Sequence, residues 1–242
     1  MIRRHSIVVI GGGVIGCAVA AELARRGARV TLADMRSPGQ GATQASAGTL
    51  VPFIEGQSGG PLLELGLRSL EVYDDFVEMV RRESRMDVEY ARCGSLEIAM
   101  DQTGAVRLKA AAALLATFGI TSEYLDGAAV RAAEQELSEG VTAGLLVPHH
   151  GYVVARQLTS ALVAVARRHG AEILETTRAT AVEPNPAGGV RVLFEDREMT
   201  APNVVLAAGS WAGQVDIAGE RLPVRPVRGE LLRVAWPGRL PE

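Results

Sequence analysis

The segment Ser6–Asp34 constrains the fold of this chain more than any other, because it combines an apolar run, three spaced glycines, a helical stretch and a closing acid. Residues 8–10 are Val-Val-Ile, a short run typical of a buried parallel strand. In the G-x-G-x-x-G spacing that follows, Gly11 permits a tight turn, Gly13 lets a phosphate approach the backbone, and Gly16 lets the next helix pack on the strand. This order predicts a βαβ unit that binds a dinucleotide; a glycine turn without a ligand is the alternative.

Asp34 closes the predicted second strand, where a carboxylate can accept hydrogen bonds from ribose hydroxyls. Its negative charge would repel a 2′-phosphate, so FAD or NAD is favoured over NADP. Arg36 lies two residues further on, where a solvated loop arginine is favoured over a cofactor contact. Gly27 is expected to end the helix between the two strands.

Composition and charge limit the classes of partner. The chain has 242 residues, of which 48% are hydrophobic, so it can bury the core of one large domain or two small interlocked ones. Its formal net charge is −3 and no basic patch dominates the sequence, which argues against a nucleic-acid partner. No apolar run is long enough to span a bilayer, and no cleavage site follows the first apolar segment. Cys17 and Cys93 form neither a disulfide framework nor a metal-ligand spacing, so we expect a cytoplasmic protein without a metal site.

A loop of small residues, Ser37–Phe53, follows the acid, where a nicotinamide-binding domain would usually continue with another βα unit. Small side chains let a backbone lie against a flat ligand and direct N–H groups toward it. Because the run is long, nearly uncharged and ends in apolar residues, we expect it to contact the ligand; an ordinary mobile surface loop is the alternative.

A second strand-to-glycine turn lies far along the chain, in the segment Val204–Gly213 with the sequence VVLAAGSWAG. Its pattern predicts a buried strand, a close backbone approach at Gly209, and a helix that starts at Trp211. Two such turns separated by inserted segments do not form a contiguous NAD domain. They are typical of a flavoprotein whose substrate domain is threaded through its nucleotide domain, so we predict that the two turns meet around one dinucleotide.

Elsewhere the sequence predicts one long amphipathic helix over Pro61–Ser84 and a final strand over Glu230–Trp236. His149 and His150 follow a short predicted strand over Leu145–Pro148. They are candidates for acid–base groups. Because no acid is expected to orient them and metal-ligand spacing is absent, a solvated pair is favoured.

Five stretches spread over nearly the whole chain resemble the amine-oxidising FAD family that includes glycine oxidase, D-amino-acid oxidase and sarcosine oxidase, with glycine oxidase the nearest member. They are IVVIGGGVIGCAVAAELARRGARVTLAD, GATQASAGTLVPF, HGYVVARQLTSALVAVARRHGAEI, VVLAAGSWAG and LPVRPVRGELLRV. The first is shared with many flavoproteins, whereas its combination with AAGSWAG and LPVRPVRGE is far more specific.

The resemblance implies an α/β fold, with a Rossmann-like FAD-binding domain built on a parallel sheet and interrupted by a β-sheet-plus-helices substrate domain. The FAD-binding domain is expected over residues 1–85 and 149–218, and the substrate domain over 86–148 and 219–242. The implied FAD contacts are Gly11, Gly13, Val14, Ile15 and Gly16 at the pyrophosphate; Asp34 at the ribose, with its neighbours Met35 and Arg36; Thr43, Ser46, Ala47, Gly48 and Thr49 toward the isoalloxazine; Val182 at adenine; and Ala208, Gly209 and Trp211 over the dinucleotide.

The same resemblance implies that the protein would be an FAD-dependent oxidoreductase that oxidises the C–N bond of glycine, a D-amino acid or a related small amine by hydride transfer to flavin N5, after which the imine would be hydrolysed. Its partners would be the amine substrate and an oxygen or quinone-type electron acceptor, with a homo-oligomer or a complementing chain as a further association. Relatives continue well past Glu242, so the chain is expected to be truncated and incomplete on its substrate side. Two alternatives stay open: an FAD-binding chain that is inactive on its own, and an NAD-dependent dehydrogenase. The sequence assigns no catalytic residue.

Overall fold

The computed structural model describes residues 6–55 and 60–232. Their helices are α1 (Val14–Arg25), α2 (Pro52–Glu55), α3 (Pro61–Glu71), α4 (Tyr73–Ser84), α5 (Gln102–Thr117), α6 (Gly127–Ala133), α7 (Ala155–Arg168) and the 3₁₀ helix η1 (Gly209–Gln214). Their strands are β1 (Ser6–Ile10), β2 (Arg29–Ala33), β3 (Thr49–Leu50), β4 (Tyr90–Ala91), β5 (Ser95–Ala99), β6 (Glu123–Asp126), β7 (Ala143–Val147), β8 (Gly151–Val153), β9 (Glu172–Leu174), β10 (Ala179–Pro184), β11 (Val190–Phe194), β12 (Glu198–Ala201), β13 (Asn203–Leu206) and β14 (Asp216–Ile217). Within these residues, no helix has the length and apolar character that a membrane span requires.

The chain divides into two compact units, each discontinuous in sequence. Of the described residues, the first unit takes 6–47, 76–89 and 154–231, and the second takes 48–55, 60–75, 90–153 and 232. Residues 48–55 and 60–75 therefore group with the second unit, whereas the sequence assigned them to the FAD-binding domain. Residues 219–231 group with the first unit, although the sequence assigned them to the substrate domain.

Four parallel strands form the main sheet of the first unit, in the order β13-β1-β2-β9. Val8, Val9 and Leu32 are buried in its central strands, and helices α1 and α7 pack against each other beside it. Because the strands all run the same way, their carboxyl ends lie at one edge of the sheet, which is where ligands bind in open α/β sheets. The predicted α/β class with a parallel sheet is confirmed.

Glycines set both ends of α1. Gly13 precedes the helix in an extended conformation, and Gly27 follows it with a φ of +85°. In that left-handed conformation the Gly27 N–H donates to the Ala24 carbonyl at 2.9 Å, which closes the last turn as predicted.

The second sheet of the first unit has the order β12-β11-β10-β14. Strands β10, β11 and β12 pair in antiparallel fashion, and β14 pairs with β10 in parallel. Val182, Val192 and Phe194 face a buried core that also contains Val8 and Ile10 of β1. This packing holds the start of β10 beside the main sheet.

The second unit contains two three-stranded antiparallel sheets, β3-β8-β4 and β5-β7-β6. Its apolar core is built from Leu63 and Leu70 of α3, Leu108 and Leu115 of α5, and Leu145 of β7. A combination of sheets and helices was expected for the substrate side of the molecule.

The prediction of a solvated histidine pair is wrong for His150. His149 is exposed, but His150 is completely buried, with its ring stacked on Phe53 at a centroid distance of 4.8 Å. The His150 Nδ1 lies 2.6 Å from Ser95 Oγ. Burial, with a smaller effect of His149, lowers the pKa of His150 to about 4. His150 is therefore a neutral core side chain at physiological pH.

Two other expectations are also modified. The long helix predicted over Pro61–Ser84 is two helices, α3 and α4, separated at Val72. Its apolar residues do not form one stripe, because Leu62 and Leu65 are each 67% exposed. The final strand predicted over Glu230–Trp236 lies largely outside the described residues.

Candidate cofactor-binding site

The two glycine turns lie side by side at the carboxyl edge of the parallel sheet. Strand β1 pairs with β13 so that Ile10 stands opposite Leu206, and the Ala207 N–H donates to the Ile10 carbonyl at 2.7 Å. Gly11 has a φ of +107°, and a Cβ there would overlap the Ala207 carbonyl oxygen. Only glycine fits this contact, which confirms the expectation that the two distant turns meet.

The first turn is tight on one side and open on the other. A Cβ on Gly16 would overlap the Gly11 carbonyl oxygen, so the helix approaches the strand this closely only with glycine. A Cβ on Gly13 would meet nothing nearer than Thr43 Oγ1 at 3.4 Å. Thr43 Oγ1 also accepts the Val14 N–H at 3.0 Å, which brings the loop after β2 to the amino end of α1. Gly13 thus leaves that helix end accessible to a ligand.

The Asp34 carboxylate ties the end of β2 to the glycine turn. Its Oδ2 accepts the Gly12 N–H at 2.6 Å, and its Oδ1 accepts the Arg36 N–H at 2.7 Å. Each carboxylate oxygen has a further lone pair, so the group can still accept hydrogen bonds from ligand hydroxyls.

Cys17 supports the turn from the protein interior. Its Sγ donates to the Gly12 carbonyl at 3.3 Å. Burial, reinforced by the negative charge of Asp34, raises the pKa of Cys17 to about 12. Cys17 is therefore a neutral thiol with a structural role, and its reactivity is suppressed.

A cavity of about 320 Å³ opens between the two turns and the loop that follows β2. This volume lies within the range of small-molecule and cofactor sites. Most of the residues predicted to contact the cofactor line it, namely Gly11, Gly13, Val14, Ile15, Asp34, Met35, Arg36, Thr43, Ser46, Ala208, Gly209 and Trp211. All of them belong to the first unit.

Four other predicted contacts do not line this cavity. Gly16 faces the Gly11 carbonyl. Ala47 is exposed, and it is the last residue of the stretch 6–47 that belongs to the first unit. Gly48 and Thr49 belong to the second unit, where the Gly48 carbonyl accepts the Val153 N–H at 2.9 Å and Thr49 lies in β3. Their expected roles toward the isoalloxazine stay predictions.

Val182 is not among the residues that line the cavity either, and the contact expected between its backbone and adenine stays a prediction. Its side chain is buried within β10, and its carbonyl accepts the Ala218 N–H at 2.9 Å. Ala179, at the start of the same strand, and the two residues before it, Thr177 and Arg178, do line the cavity. The hydrophobic pattern of the sequence could not show which of Ala179 and Val182 lines the cavity, since both side chains are buried.

Two arginines line the cavity and contact η1. Arg36 lies over the Trp211 ring, with Cζ 4.4 Å from the ring centroid, and its Nε is buried without a hydrogen-bond partner. The favoured interpretation of a solvated loop arginine is therefore wrong, because the side chain is half-buried against Trp211. Arg178, which the sequence did not single out, donates from Nη2 to Gln214 Oε1 at 3.1 Å. Gln214 also lines the cavity, and only the folded arrangement reveals this pair.

Several known proteins are similar to this chain. It is 32% identical, over 98% of its length, to the bifunctional protein ThiO/ThiG of Synechocystis sp., of which it covers 34%. It is 29% identical, again over 98% of its length, to glycine oxidase of Geobacillus kaustophilus, of which it covers 63%. The crystal structure of the G. kaustophilus glycine oxidase matches with a TM-score of 0.83 and 28% identity, over 87% of this chain and 57% of that one.

The chain thus spans between about one third and two thirds of the length of these curated relatives. The model of the family described as "DAO: FAD dependent oxidoreductase" matches residues 6–242. The family match covers both glycine turns, Asp34 and the strands that carry them. This chain belongs to the DAO family of FAD-dependent oxidoreductases.

Proposed function

We propose that this chain binds FAD in the cavity between the two glycine turns and serves the oxidation of a C–N bond in glycine, a D-amino acid or a related small amine. The observation that carries the proposal is the contact between Gly11 and Ala207, which joins two turns far apart in sequence at neighbouring parallel strands. Family membership supports FAD over NAD. It therefore argues against the alternative of an NAD-dependent dehydrogenase.

The residues of the cavity fit a dinucleotide. Gly13 and Gly209 leave space where a Cβ would stand, and no atom lies within 4 Å of a Cβ built on Gly209. The amino end of α1 offers N–H groups and the positive end of its dipole to a pyrophosphate. The Asp34 carboxylate retains lone pairs for the hydroxyls of a ribose.

These features suggest specific roles. Gly13, Val14 and Ile15 would border the pyrophosphate, and the Thr43 hydroxyl, which accepts from the Val14 N–H, keeps its own hydrogen for a phosphate oxygen. The adenine contact would lie along β10 and the residues just before it, because Thr177–Ala179 line the cavity and Val182 belongs to the same strand.

When bound, the flavin would supply the hydride acceptor for the carbon next to the amine nitrogen, and water would hydrolyse the resulting imine. The residues of this chain hold and orient the cofactor. The substrate class is supported by the names of similar proteins, which include glycine oxidase. Oxygen or a quinone as the electron acceptor, a homo-oligomer or complementing chain, and a cytoplasmic location stay predictions.

The test begins with the purified 242-residue chain. Bound FAD would give a yellow protein with absorbance near ~450 nm, and denaturation should release a compound with the mass of FAD. A colourless protein that binds NADH would contradict the proposal. Peroxide formation from glycine or small D-amino acids, or reduction of a quinone analogue by them, tests the oxidation itself. FAD binding without turnover would favour the alternative of a chain that needs a partner.

A further inference from the structure

The loop that follows β2 is fixed to the first glycine turn at two points. The Gly39 N–H donates to the Gly12 carbonyl at 2.7 Å, and Thr43 Oγ1 accepts the Val14 N–H at 3.0 Å. Gly41 lies between these two points in the sequence and lines the cavity. Because the loop is tethered on both sides of Gly41, this glycine is a fixed part of the cavity wall.

The indole of Trp211, in η1, packs against this loop and against Arg36. A Cβ built on Gly41 would stand 3.3 Å from Trp211 Cζ3, so the ring lies as close to the loop as a glycine allows. The Arg36 Cζ lies 4.4 Å from the ring centroid, a favourable cation–π distance. These three residues, Arg36, Gly41 and Trp211, all line the cavity, and we call them the clasp. The clasp joins the loop after β2 to the second glycine turn along one side of the cavity.

Two opposing effects make the clasp easy to open. The cation–π attraction between Arg36 and Trp211 favours the closed arrangement. Burial of the Arg36 Nε disfavours it, because this donor has no hydrogen-bond partner and its burial costs free energy of a similar size. When the indole moves away, water can hydrate the Nε–H. The closed and open arrangements therefore differ little in free energy.

The packing around η1 leaves room for the indole to move. Among the described residues, no atom lies within 4 Å of a Cβ built on Gly209, at the amino end of η1. At the other end, a Cβ on Gly213 would overlap the Val224 carbonyl oxygen, so the chain is closely packed there. Trp211 lies between these two glycines, and the space beside Gly209 can accept its ring.

We propose that the clasp is the gate through which a dinucleotide enters and leaves the cavity, and that the contact of Trp211 with Arg36 and Gly41 sets the rate of this exchange. The clasp bridges the two walls between which the nucleotide is proposed to lie, so the walls must separate there to admit a ligand of this length. The inference rests on the proposed function, because FAD is the nucleotide assigned to the cavity. It adds how occupation of the cavity is controlled, and it requires no contact between the clasp and the nucleotide.

Gly41→Ala tests the gate, because its methyl group would stand between the loop and the indole and hold the clasp open. The rate of exchange follows the open fraction, so the association and dissociation rates of FAD should both rise by about threefold to tenfold, with Kd within about twofold. Stopped-flow flavin fluorescence on the full chain freed of flavin measures both rates. Gly140→Ala is the matched control, because its Cβ would be as crowded, at 3.2 Å from Met100 Cε, but outside the cavity lining.

Trp211→Leu is a second test, because it removes the aromatic face from the clasp. It should also raise the association rate of FAD by about threefold to tenfold. Loss of a contact between Trp211 and the nucleotide would instead raise the dissociation rate alone. The association rate therefore distinguishes a gate from a binding contact.

The clasp can also be observed in the absence of any nucleotide. Trp211 and Trp236 are the two tryptophans of the sequence, so a Trp236→Phe background leaves the fluorescence of Trp211 alone. Quenching of this fluorescence by acrylamide reports how often the indole is exposed. Gly41→Ala should increase the quenching constant by about twofold or more, and Gly140→Ala should leave it unchanged.

The outcomes separate this inference from the proposed function. A wild-type chain that binds no FAD overturns both. A wild-type chain that binds FAD, with an unchanged association rate in Gly41→Ala and Trp211→Leu, overturns the gate alone. An unchanged quenching constant in Gly41→Ala also overturns it. Circular dichroism identifies a misfolded variant, and if Gly41→Ala misfolds, the association rate of Trp211→Leu decides.

Discussion

The Asp34 carboxylate accepts the backbone N–H of Gly12 at 2.6 Å, so the acid expected to bind the ribose also holds the glycine turn. The sequence motif predicts the ribose contact, whereas the hydrogen bond to the glycine turn depends on the distance between β2 and the turn. A single side chain therefore holds the glycine turn proposed to bind the pyrophosphate and is also the group expected to bind the ribose.

Asp34→Asn should affect both roles. An amide presents one acceptor oxygen instead of two, so either the Gly12 N–H or the Arg36 N–H loses its acceptor. We expect FAD affinity to fall about tenfold or more, and the free energy of unfolding to fall by about 1–3 kcal/mol. Calorimetric titration and urea denaturation measure the two effects. Asp87→Asn, at an exposed loop position, is the control, and equal behaviour of the two variants would contradict the double role.

Alanine substitutions at Gly13 and Gly16, the last two glycines of the G-x-G-x-x-G spacing, should affect the protein in opposite ways. Gly13→Ala adds a Cβ into space that only Thr43 Oγ1 approaches, at 3.4 Å, so the protein should fold with a loss below about 1 kcal/mol. The added methyl group should nevertheless reduce FAD affinity, because it stands where the pyrophosphate is expected. Titration of the folded variant measures this, and unchanged affinity would place the phosphates elsewhere.

Gly16→Ala should instead damage the fold. Its Cβ would overlap the backbone carbonyl of Gly11, which cannot move without shifting β1 or α1. We expect a loss of about 3 kcal/mol, the upper end of the usual cost of overpacking in a core. Gly27→Ala is the matched control: it has a φ of +85° but no neighbouring atoms within 4 Å, so its cost should stay near about 1 kcal/mol. Thermal unfolding measures the loss of stability in both variants, and a larger loss for Gly27→Ala would contradict the overlap expected at Gly16.

The sequence predicts the parts of the site that depend on local spacing. The turn at Gly11, the helix that follows it and the strand that ends at Asp34 are each encoded within a few residues. The second turn at Gly209 is equally local, and its meeting with the first follows from the way parallel strands align. The resemblance to a known family extends this prediction to twelve of the twenty-five residues that line the cavity.

The remaining features depend on contacts between distant segments. Val182 and Ala179 are both buried residues of one strand, and only the hydrogen bond from the Thr177 N–H to the Asp34 carbonyl shows which end of β10 reaches the cavity. His150 follows an exposed histidine, and its burial is decided by Phe53, nearly a hundred residues earlier in the sequence. Neither the spacing of motif residues nor the hydrophobic periodicity of the sequence shows which distant residues are in contact.

The buried His150 should make stability depend on pH. Its pKa is lowered from 6.5 to about 4 in the folded protein, so below pH 6.5 the unfolded chain takes up a proton that the native state does not. This stability is fully present above pH 6.5 and decreases as the pH falls toward 4, by up to about 3 kcal/mol. His150→Gln should flatten the pH dependence of urea denaturation in this range. His149→Gln, at the exposed neighbour, should leave most of it, because His149 makes the smaller contribution to the lowered pKa of His150, and equal slopes for both variants would contradict the assignment.

Glu83 should stabilise the first unit more than a surface ion pair does. Its carboxylate lies 2.7 Å from His169 Nε2 after α7 and 3.1 Å from Arg25 Nε in α1, and its side chain is 19% exposed. These partners, His169 before Arg25, lower the pKa of Glu83. The stabilisation is therefore present above the unfolded pKa of about 4.3 and is lost as the pH falls through the lower folded value.

We therefore expect Glu83→Gln to lower the free energy of unfolding by about 1–2 kcal/mol at neutral pH, and by progressively less in acid. Glu71→Gln is the matched control, because Glu71 pairs with Arg68 at 2.8 Å with side chains 63% and 75% exposed, and such pairs contribute at most about 0.5 kcal/mol. Urea denaturation at neutral and acidic pH measures both variants. If Glu83→Gln costs no more than Glu71→Gln, the contacts that join α1, α4 and α7 at Glu83 do not stabilise the fold that holds the cofactor cavity.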